Sequence, residues 1–368
     1  MKRIKDPVRN QYILIEDPYL SAMEEPEFQR LRRISQLGLT DLVYPGATHS
    51  RLIHSLGVFY TMKQMTNSID VSEDTKRQLR FAALLHDIGH GPYSHVSERV
   101  DSAPDHEERS CEVIDQFNER GIIDDDDVVP IQEFIRGERR PHLLHGDVDA
   151  DRLDYLLRDS YNTGNSAGVV EDHTITTQNI MLTEDNRVAF HHTARSALSG
   201  IPQARQAMYS AVYVQPTVRI AERMLEESIV RSDISGDELM TLDDHQLLTY
   251  LRDSTDPVVQ SLSDRIANRN LYKMAASTRF YDDSEQIDRD ELQSELVSET
   301  GLEPHELLVE EFPENPSSLS TLIMFDDGSL QEYEIEGSSS HIYNYDIGVF
   351  TPDTHEETVA DVCENYGI

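Results

Sequence analysis

The sequence is poor in cysteine, in basic residues and in long apolar runs. Its two cysteines, Cys111 and Cys363, lie far apart and outside any CxxC pair, which argues against a disulfide framework or a cysteine zinc site. No segment approaches the ~20 consecutive apolar residues that a membrane-spanning helix needs. The N-terminus lacks the apolar core of a secretory signal. We therefore expect a cytoplasmic protein that does not enter a membrane and has one or two domains.

Negative charge dominates the composition. The chain holds 69 Asp and Glu against 32 Lys and Arg, for a formal net charge of −37. Self-repulsion on this scale is unfavourable at low salt and is screened at molar salt, where the Debye length falls to about 3 Å. The charge favours a protein of a halophilic organism, and an ordinary acidic protein is the alternative. Nucleic acid is an unfavourable partner for such a surface.

The hydrophobic pattern divides the chain into a helical body and a mixed C-terminal part. The first 17 residues alternate like a strand or hairpin, and helical periodicity then extends to about residue 270, with Pro216 interrupting one long segment. Beyond it, "HELLVEEFP", "TLIMFDDGSLQEYEIE" and "YDIGVFTP" predict short strands with a DG turn, before a closing helix. We expect a mainly α fold with an N-terminal β-hairpin, a core over 1–275 and a small α+β region over 276–368.

Four residues with metal-ligand chemistry lie in or beside the helical segments. They are His54 in "RLIHSLG", the adjacent His86 and Asp87 in "LLHDIGH", and Asp151 in "DADRLDY". Two imidazoles and two carboxylates suit Fe, Mn, Ni, Zn or Mg and leave coordination positions for water and substrate. A single such residue is more often structural, but a polar pair directly after the apolar "FAALL" needs a partner. These four residues therefore predict a divalent metal site.

The order H…HD…D resembles that of the HD-domain phosphohydrolases. Longer segments resemble the deoxynucleoside triphosphate (dNTP) triphosphohydrolases of that group, among them "FQRLRRISQLGLTDLVYPGATHSRLIHSLGVFY", "LLHDIGHGPYSH" and "DADRLDYLLRDSYNTG". The likeness runs from about residue 2 to 275. It implies an HD-domain helical bundle, hydrolysis of dNTPs to deoxynucleoside and triphosphate, the same four metal ligands, and a homo-oligomer, either dimer or tetramer.

The resemblance also implies the residues that transfer a proton. His90, His95 and His106 match histidines that line the reacting phosphate in that family. Imidazole titrates near neutrality and suits this role. His106 is our candidate general acid, with the adjacent Glu107 expected to fix its tautomer, and His95 is the alternative.

Nine further side chains match positions that surround the substrate in the family. Arginine forks suit phosphates, and a close-fitting pair beside the sugar would exclude a 2′-hydroxyl. The residues are Arg51, Arg152 and Arg205 for the phosphates, Gln36 and Leu37 for the deoxyribose, Tyr155 and Asp159 for the 3′-hydroxyl, and Tyr209 and Tyr213 for the pocket wall.

Nucleotide activation is an expectation with weaker support. In the animal member of the dNTP triphosphohydrolase family, nucleotides that bind between subunits activate the enzyme. Gln29 and Arg32 match residues that recognise guanine there, and Lys2 lies in the corresponding N-terminal segment. However, Glu24 replaces an aspartate, and His173 falls near the position where the family has an arginine.

Two other functions remain open. A broader HD phosphohydrolase would act on nucleoside monophosphates or phosphodiesters, although Gln36, Leu37 and the tyrosines argue against it. A non-catalytic nucleotide-binding regulator would have lost metal ligands, whereas all four are intact here. The sequence leaves the base preference and the native metal open.

Overall fold

The computed structural model describes residues 1–100, 102–171, 174–278, 288–312, 318–336 and 347–368. Helices dominate these ranges, and none of the helices described there combines the length and apolar character needed to span a bilayer. Their bounds are α1 Tyr19–Glu24, α2 Pro26–Arg30, α3 Arg51–Ser68, α4 Glu73–Leu85, α5 His95–Glu98, α6 His106–Glu119, α7 Asp125–Ile135, α8 Ala150–Thr163, α9 Arg195–Met208, α10 Pro216–Arg231, α11 Gly236–Leu239, α12 Asp244–Arg252, α13 Pro257–Ala267, α14 Arg289–Thr300 and α15 Glu356–Cys363.

The strands of the described residues form three small sheets. One is the antiparallel N-terminal hairpin, the second has the order β3-β4-β7-β8, and the third has the order β5-β9-β6. In the second sheet β4 and β7 are parallel, with His191 opposite Met324. The strand bounds are β1 Lys2–Asp6, β2 Gln11–Ile15, β3 Ile180–Leu182, β4 Val188–His191, β5 Lys273–Thr278, β6 Leu308–Glu311, β7 Ser318–Met324, β8 Leu330–Glu336 and β9 Ile347–Thr351.

Side-chain caps fix where two site-bearing helices begin. The Asp105 carboxylate accepts hydrogen bonds from the first-turn backbone N–H groups of Glu107 and Glu108, so that α6 starts at His106. The Asp149 carboxylate does the same for Arg152 at the start of α8. Such caps satisfy backbone donors that a helix leaves unpaired at its N-terminus. Local sequence thus places His106 and Asp151 in first turns.

Two glycines permit the close packing that brings these helices together. A Cβ on Gly57 of α3 would overlap the side chains of Asp154 and Arg158 on α8. A Cβ on Gly89 would overlap the backbone at the start of α6, at His106 and Ser110. Any larger residue at either position would push a site-bearing helix away.

Among the residues that the structure describes, apolar side chains form three buried clusters. The largest surrounds α3, α4 and α8. The second joins α10, α12 and α13 to C-terminal strands, since Met224 of α10 and Phe350 of β9 both belong to it. The third lies among α14, α15, β6 and β9. The predicted domain boundary near residue 275 falls within β5 and stays a prediction.

The fold class predicted from the sequence is confirmed. The N-terminal hairpin, the mainly helical body and the small C-terminal sheets are all present. Pro216 occupies the first turn of α10, where its missing N–H costs no hydrogen bond. A turn with Gly328 at φ +80° joins β7 to β8. The pattern did not predict β3 and β4, nor the parallel pairing of β4 with β7.

Candidate active site

A cavity of about 1030 Å³ lies where the first turns of α3, α6 and α8 meet the loop 86–94. Its walls bring together residues that the sequence places up to 186 positions apart. Every expected metal, catalytic and substrate residue lines it: Gln36, Leu37, Arg51, His54, His86, Asp87, His90, His95, His106, Glu107, Asp151, Arg152, Tyr155, Asp159, Arg205, Tyr209 and Tyr213.

The residues expected to bind an activating nucleotide lie elsewhere. In the described part of the chain, Lys2, Gln29 and Arg32 do not line the cavity. The Lys2 ammonium lies 3.3 Å from a Glu24 carboxylate oxygen. The Arg32 Nε donates to the Gln29 side-chain oxygen at 2.7 Å. His173 lies outside the described residues, and the activating site stays a prediction.

Three of the four expected metal ligands, His54, His86 and Asp87, offer ligand atoms within 4.8 Å of one another, and Asp151 lies beside both imidazoles. The His54 Nε2 lies 2.9 Å from an Asp151 oxygen and 3.6 Å from an Asp87 oxygen. The His86 Nε2 lies 3.2 Å from Asp87 and 3.7 Å from Asp151. We call these four residues the HD quartet. Its two carboxylates hold both imidazoles at separations that suit a shared cation.

The imidazole tautomers fit a metal. The His54 Nδ1 contacts the Asp154 carboxylate at 2.9 Å, and the His86 Nδ1 contacts the Ala83 carbonyl oxygen at 3.1 Å. Both contacts place a proton on Nδ1 and leave the Nε2 lone pair towards the quartet, as is usual for metal-bound histidine. Within the described residues the buried His86 Nε2 makes no hydrogen bond. The donor set therefore fits a divalent cation.

A buried ion network stands behind His54. The Asp154 carboxylate accepts hydrogen bonds from Arg158 Nε at 2.8 Å and from Arg9 Nη1 at 2.5 Å. A second carboxylate, Asp6, lies 3.2 Å from Arg158. Burial raises the pKa of Asp154, but the two guanidinium groups outweigh burial and hold it well below its usual range. Asp154 is thus a permanent anion that orients His54.

The electrostatic field at the quartet is strongly negative. Burial lowers the pKa of His54, but Asp151 and Asp154 outweigh burial and raise it to about 10. In the same way, the pKa of Asp151 lies below its usual range because His54 and His86 outweigh its burial. A site that attracts a proton this strongly also attracts a divalent cation, which competes with protons for the same ligands.

Two stacked histidines share one carboxylate. The His106 and His90 rings lie 4.0 Å apart at 10°, and a Glu98 oxygen lies 2.8 Å from His106 Nδ1 and 2.9 Å from His90 Nδ1. The carboxylate that contacts His106 Nδ1 is therefore that of Glu98. The Glu107 carboxylate, which we expected in this position, lies 3.8 Å from the His145 Nε2.

The stacked pair has opposite proton affinities. Burial lowers the pKa of His106, but Glu98 outweighs burial and raises it above its ordinary value. Burial and the nearby Arg51 guanidinium lower the pKa of His90 to about 4. His95 also contacts Glu98, at 3.2 Å, but its side chain is 69% exposed. Of the three histidines, His106 combines a raised pKa with close contact to the Glu98 carboxylate.

The cavity arginines differ in how far they are already engaged. Arg51 is buried and donates to Asp87 and Ser94, each at 2.6 Å. Arg152 donates to the Asp147 carbonyl oxygen at 2.5 Å. Arg205 makes no hydrogen bond or ion pair with any residue that the structure describes. Arg51 therefore supports the quartet, and Arg205 is the cation most available to a ligand.

The far end of the cavity is lined by hydroxyl and carboxylate groups. Asp159 accepts a hydrogen bond from the Tyr213 hydroxyl at 2.8 Å, and its other oxygen lies 2.8 Å from His49 Nε2. Burial raises the pKa of Tyr155 to about 12. Burial and Asp159 raise the pKa of Tyr213 well above its ordinary value. Both phenols therefore stay protonated and can donate. Nearby, the Gln36 side-chain oxygen is buried and makes no hydrogen bond among the described residues.

Backbone strain is concentrated in the loop that carries the HD pair. Tyr93 and Ser94 have φ values of +52° and +45°, which cost energy for residues other than glycine. Asp244 accepts a hydrogen bond from the Tyr93 N–H at 2.7 Å, and Arg51 binds the Ser94 hydroxyl. These contacts hold the strained loop against the cavity.

Comparison with family models gives two matches that together span most of the chain. The model described as "HD domain" matches residues 51–159, and the model described as "HD associated region" matches 169–366. The second match covers more than half of the chain. The chain belongs to the HD-domain family. The HD-associated region follows the HD match, and the quartet lies within the HD match.

Relatives of this HD protein occur in several groups of organisms. An uncharacterized protein of Methanocaldococcus jannaschii is 35% identical over 293 residues, which are 77% of this chain and 61% of the relative. One of Bacillus subtilis is 31% identical over 348 residues, 84% of this chain and 78% of the relative. A Dictyostelium discoideum protein named deoxynucleoside triphosphate triphosphohydrolase SAMHD1 homolog is 28% identical over 309 residues, which are 74% of this chain and 59% of the relative. The chain thus spans about three fifths of the archaeal and Dictyostelium relatives.

A solved structure has the same fold. The crystal structure of a phosphohydrolase from Bacteroides thetaiotaomicron superposes with a TM-score of 0.77 at 26% identity, covering 96% of this chain and all of the other. The helical core, the N-terminal hairpin and the small C-terminal sheets therefore belong to an architecture found in a solved phosphohydrolase.

Sequence reasoning missed three residues that support the HD site. Asp154 lies three positions after Asp151, on the same helical face, and this spacing was a usable signal. Glu98 lies three positions after His95, but the short α5 gives no strong pattern. His49 precedes His54 by five residues in a loop, and no local spacing connects it to Asp159.

Proposed function

We propose that this HD phosphohydrolase converts dNTPs to deoxynucleosides and triphosphate. One observation carries the proposal: the HD quartet, His106, two arginines (Arg152 and Arg205) and a tyrosine–aspartate group all line one cavity of about 1030 Å³. These groups correspond to the α-phosphate, the leaving oxygen, the triphosphate and the sugar of a dNTP. The name of the Dictyostelium relative supports the same substrate class.

The quartet would hold the metal next to the α-phosphate. When bound, a divalent cation supplies a Lewis acid for phosphate oxygens and lowers the pKa of water. His54 and His86 contribute neutral nitrogens, since their Nδ1 protons are committed to Asp154 and to a carbonyl oxygen. Arg51, bound to Asp87, limits the excess negative charge that would repel an incoming phosphate.

His106 would supply the proton that the leaving group needs. Water attacks the α-phosphorus, the bond from phosphorus to the 5′-oxygen breaks, and the 5′-oxygen takes a proton to become the deoxynucleoside hydroxyl. Glu98 raises the pKa of His106 and lies against its Nδ1 side, so that in the protonated ring the Nε2–H would be the proton available for transfer. The oxygen of the attacking water ends in triphosphate.

Charge and shape in the rest of the cavity would place the substrate. Arg152 and Arg205 line the wall and match the triphosphate, for which guanidinium forks are suited. Asp159, held by Tyr213 and His49, is fixed to accept a hydrogen bond from a 3′-hydroxyl. Gln36 and Leu37 lie against the sugar, where a 2′-hydroxyl would lose water without gaining a partner.

The test is the product pattern in ¹⁸O-labelled water. The protein is incubated with each dNTP, with Mn²⁺, in molar KCl, and the products are separated by ion exchange. We expect deoxynucleoside and triphosphate, with the label in triphosphate, and little turnover of the matching ribonucleotides. Label in the nucleoside, or release of monophosphate, pyrophosphate or single phosphates, would overturn the proposal and favour the broader phosphohydrolase.

We also propose a homo-oligomer, as in the family that the sequence resembles. The pairs Lys2–Glu24 and Gln29–Arg32 lie outside the cavity. An activating nucleotide that binds between subunits would have to bind in this outer region. Light scattering in molar salt should report a dimer or tetramer. A fully active monomer at micromolar concentration would contradict this.

A further inference from the structure

A second cluster of histidines and aspartate lies on the sheet β3-β4-β7-β8, away from the cavity lining. His191 ends β4, His192 follows it, and Asp326 follows β7 in the turn towards β8. The ends of β4 and β7 are neighbours because these strands pair in parallel. The His191 Nε2 lies 2.9 Å from one Asp326 oxygen, and the His192 Nε2 lies 3.2 Å from the other. Three potential ligands thus meet from two distant segments.

The hydrogen bonds behind His191 determine its tautomer. The Thr193 hydroxyl donates its proton to the Asn179 side-chain oxygen at 2.7 Å, so its oxygen can only accept from His191 Nδ1, 2.8 Å away. In neutral His191 the proton is therefore on Nδ1, and Nε2 carries a lone pair. A lone pair 2.9 Å from a carboxylate oxygen is repulsive unless a cation or an additional proton lies between them.

The second imidazole is also held in place. The His192 ring stacks on Phe325 at 5.7 Å and 11°, and its centroid lies 4.4 Å from that of His191. One ligand atom from each of His191, His192 and Asp326 lies within 4.8 Å of the others. Metal-bound nitrogen and oxygen lie about 2.0–2.2 Å from zinc, so small side-chain movements would complete a coordination shell.

We propose that His191, His192 and Asp326 form a second metal site, separate from the HD quartet, for a transition metal ion such as Zn²⁺. Two imidazoles and one carboxylate suit zinc, nickel or copper and disfavour calcium and magnesium, which prefer all-oxygen sites. The Asp326 side chain is 81% exposed, so water completes the coordination. The hydrogen bond from His191 to Thr193 is the supporting contact that metal-bound histidines usually make.

A metal at this site would link β4 to the turn after β7. These segments lie 135 positions apart in the sequence and touch through three paired residues of the parallel strands. A ligand that binds only the folded state stabilises it. The site would therefore stabilise the sheet without taking part in hydrolysis.

Equilibrium dialysis against Zn²⁺ with metal analysis tests the site. Asp326→Asn removes the anionic ligand, and the matched control is Asp327→Asn in the same turn, whose carboxylate accepts hydrogen bonds from Ser329. The HD quartet is intact in all three proteins, so the difference in zinc content reports only the surface site. We expect the Asp326 variant to bind one zinc equivalent fewer than both the parent and the control, with unchanged hydrolase activity.

A second measurement uses the His86→Ala, Asp87→Ala protein, in which the quartet is disabled. Added Zn²⁺ should raise its melting temperature, and the further change Asp326→Asn should remove that rise. Equal zinc content in parent and Asp326→Asn proteins, together with equal melting shifts, would overturn the proposal. The cluster would then be an ion pair between protonated histidines and Asp326.

Discussion

The two His/Asp clusters of this protein have similar ligands and opposite surroundings. In the HD quartet the side chains of His54 and Asp87 are 1% and 5% exposed, and two carboxylates and two arginines lie behind them. In the surface cluster, which consists of His191, His192 and Asp326, the Asp326 side chain is 81% exposed. Thr193, itself hydrogen-bonded to Asn179, holds the His191 ring.

The difference shows what burial adds to a ligand set. Buried ions are costly unless each has a partner, so the quartet depends on a network that reaches the N-terminal hairpin. The surface cluster has solvent to screen its charges and needs little support. We therefore expect metal loss to end activity at the quartet and to reduce only stability at the surface.

The largest effect should follow loss of two quartet ligands. His86→Ala with Asp87→Ala should remove the metal and lower kcat by about a thousandfold or more, since a metal ion supplies several kcal/mol of transition-state stabilisation. The fold should survive, because the α3–α4–α8 cluster is intact. Elemental analysis and circular dichroism check this, and stoichiometric metal in a folded, inactive double variant would show that the ligands are assigned incorrectly.

Two matched substitutions can separate the effect of the buried ion network on metal affinity from its effect on folding stability. Asp154→Asn should weaken metal binding about 10- to 100-fold, because such supporting contacts contribute that much to affinity. Asp6→Asn removes a buried carboxylate from the same arginines but leaves His54 untouched.

Both variants should unfold at lower denaturant concentration, since breaking a buried pair costs about 3–5 kcal/mol. Only the Asp154 variant should show weaker metal binding by titration. If Asp6→Asn weakens metal affinity equally, the effect passes through the fold and not through His54.

The histidines around Glu98 provide a third comparison between buried and exposed groups. His106→Ala should lower kcat by about 10²- to 10⁴-fold, the usual contribution of a general acid, whereas exposed His95 should matter much less. Because the acid must be protonated, activity is lost as pH rises through the pKa of His106. Glu98→Gln removes the carboxylate that raises this pKa, so the alkaline limb of the kcat–pH profile should move to lower pH. An unmoved limb, or a larger loss with His95→Ala, would give the role to His95.

The smallest expected effect is the change in melting temperature with salt, to which each exposed charge contributes only a little. Exposed charges are screened at short range in molar KCl, whereas buried pairs are screened much less. With a net charge of −37, we expect the melting temperature to rise by about 5 °C or more from ~0.1 M to molar KCl, as 1 kcal/mol shifts it by about 2 °C in a chain this long. A flat or falling curve would contradict adaptation to high salt.

Local sequence pattern was sufficient to predict the HD quartet, but it could not predict the buried ion network behind His54. His86 and Asp87 are adjacent and directly follow an apolar helix, so they can be predicted as ligands from the local sequence alone. Arg158 is different, because it is 1% exposed in a position that helical periodicity assigns to an ordinary polar residue. Its partner Asp6 is 152 positions away, and no spacing rule connects them.

The sheets show the same limit. The hairpin of β7 and β8 followed from alternation and a DG turn, which are local signals. The parallel pairing of β4 with β7 depends on tertiary packing between segments more than 130 positions apart. The short β3 and β4, of three and four residues, carry too little periodicity to stand out.

The ion network behind His54 has a consequence for signalling. Arg9 lies in the turn of the N-terminal hairpin and touches Asp154, which in turn holds a metal ligand. Any molecule that binds the hairpin and shifts Arg9 would change the affinity for metal. Thermodynamic reciprocity then requires that metal binding change the affinity for that molecule by the same factor. The first ten residues are therefore linked to the HD quartet through the Asp154 carboxylate.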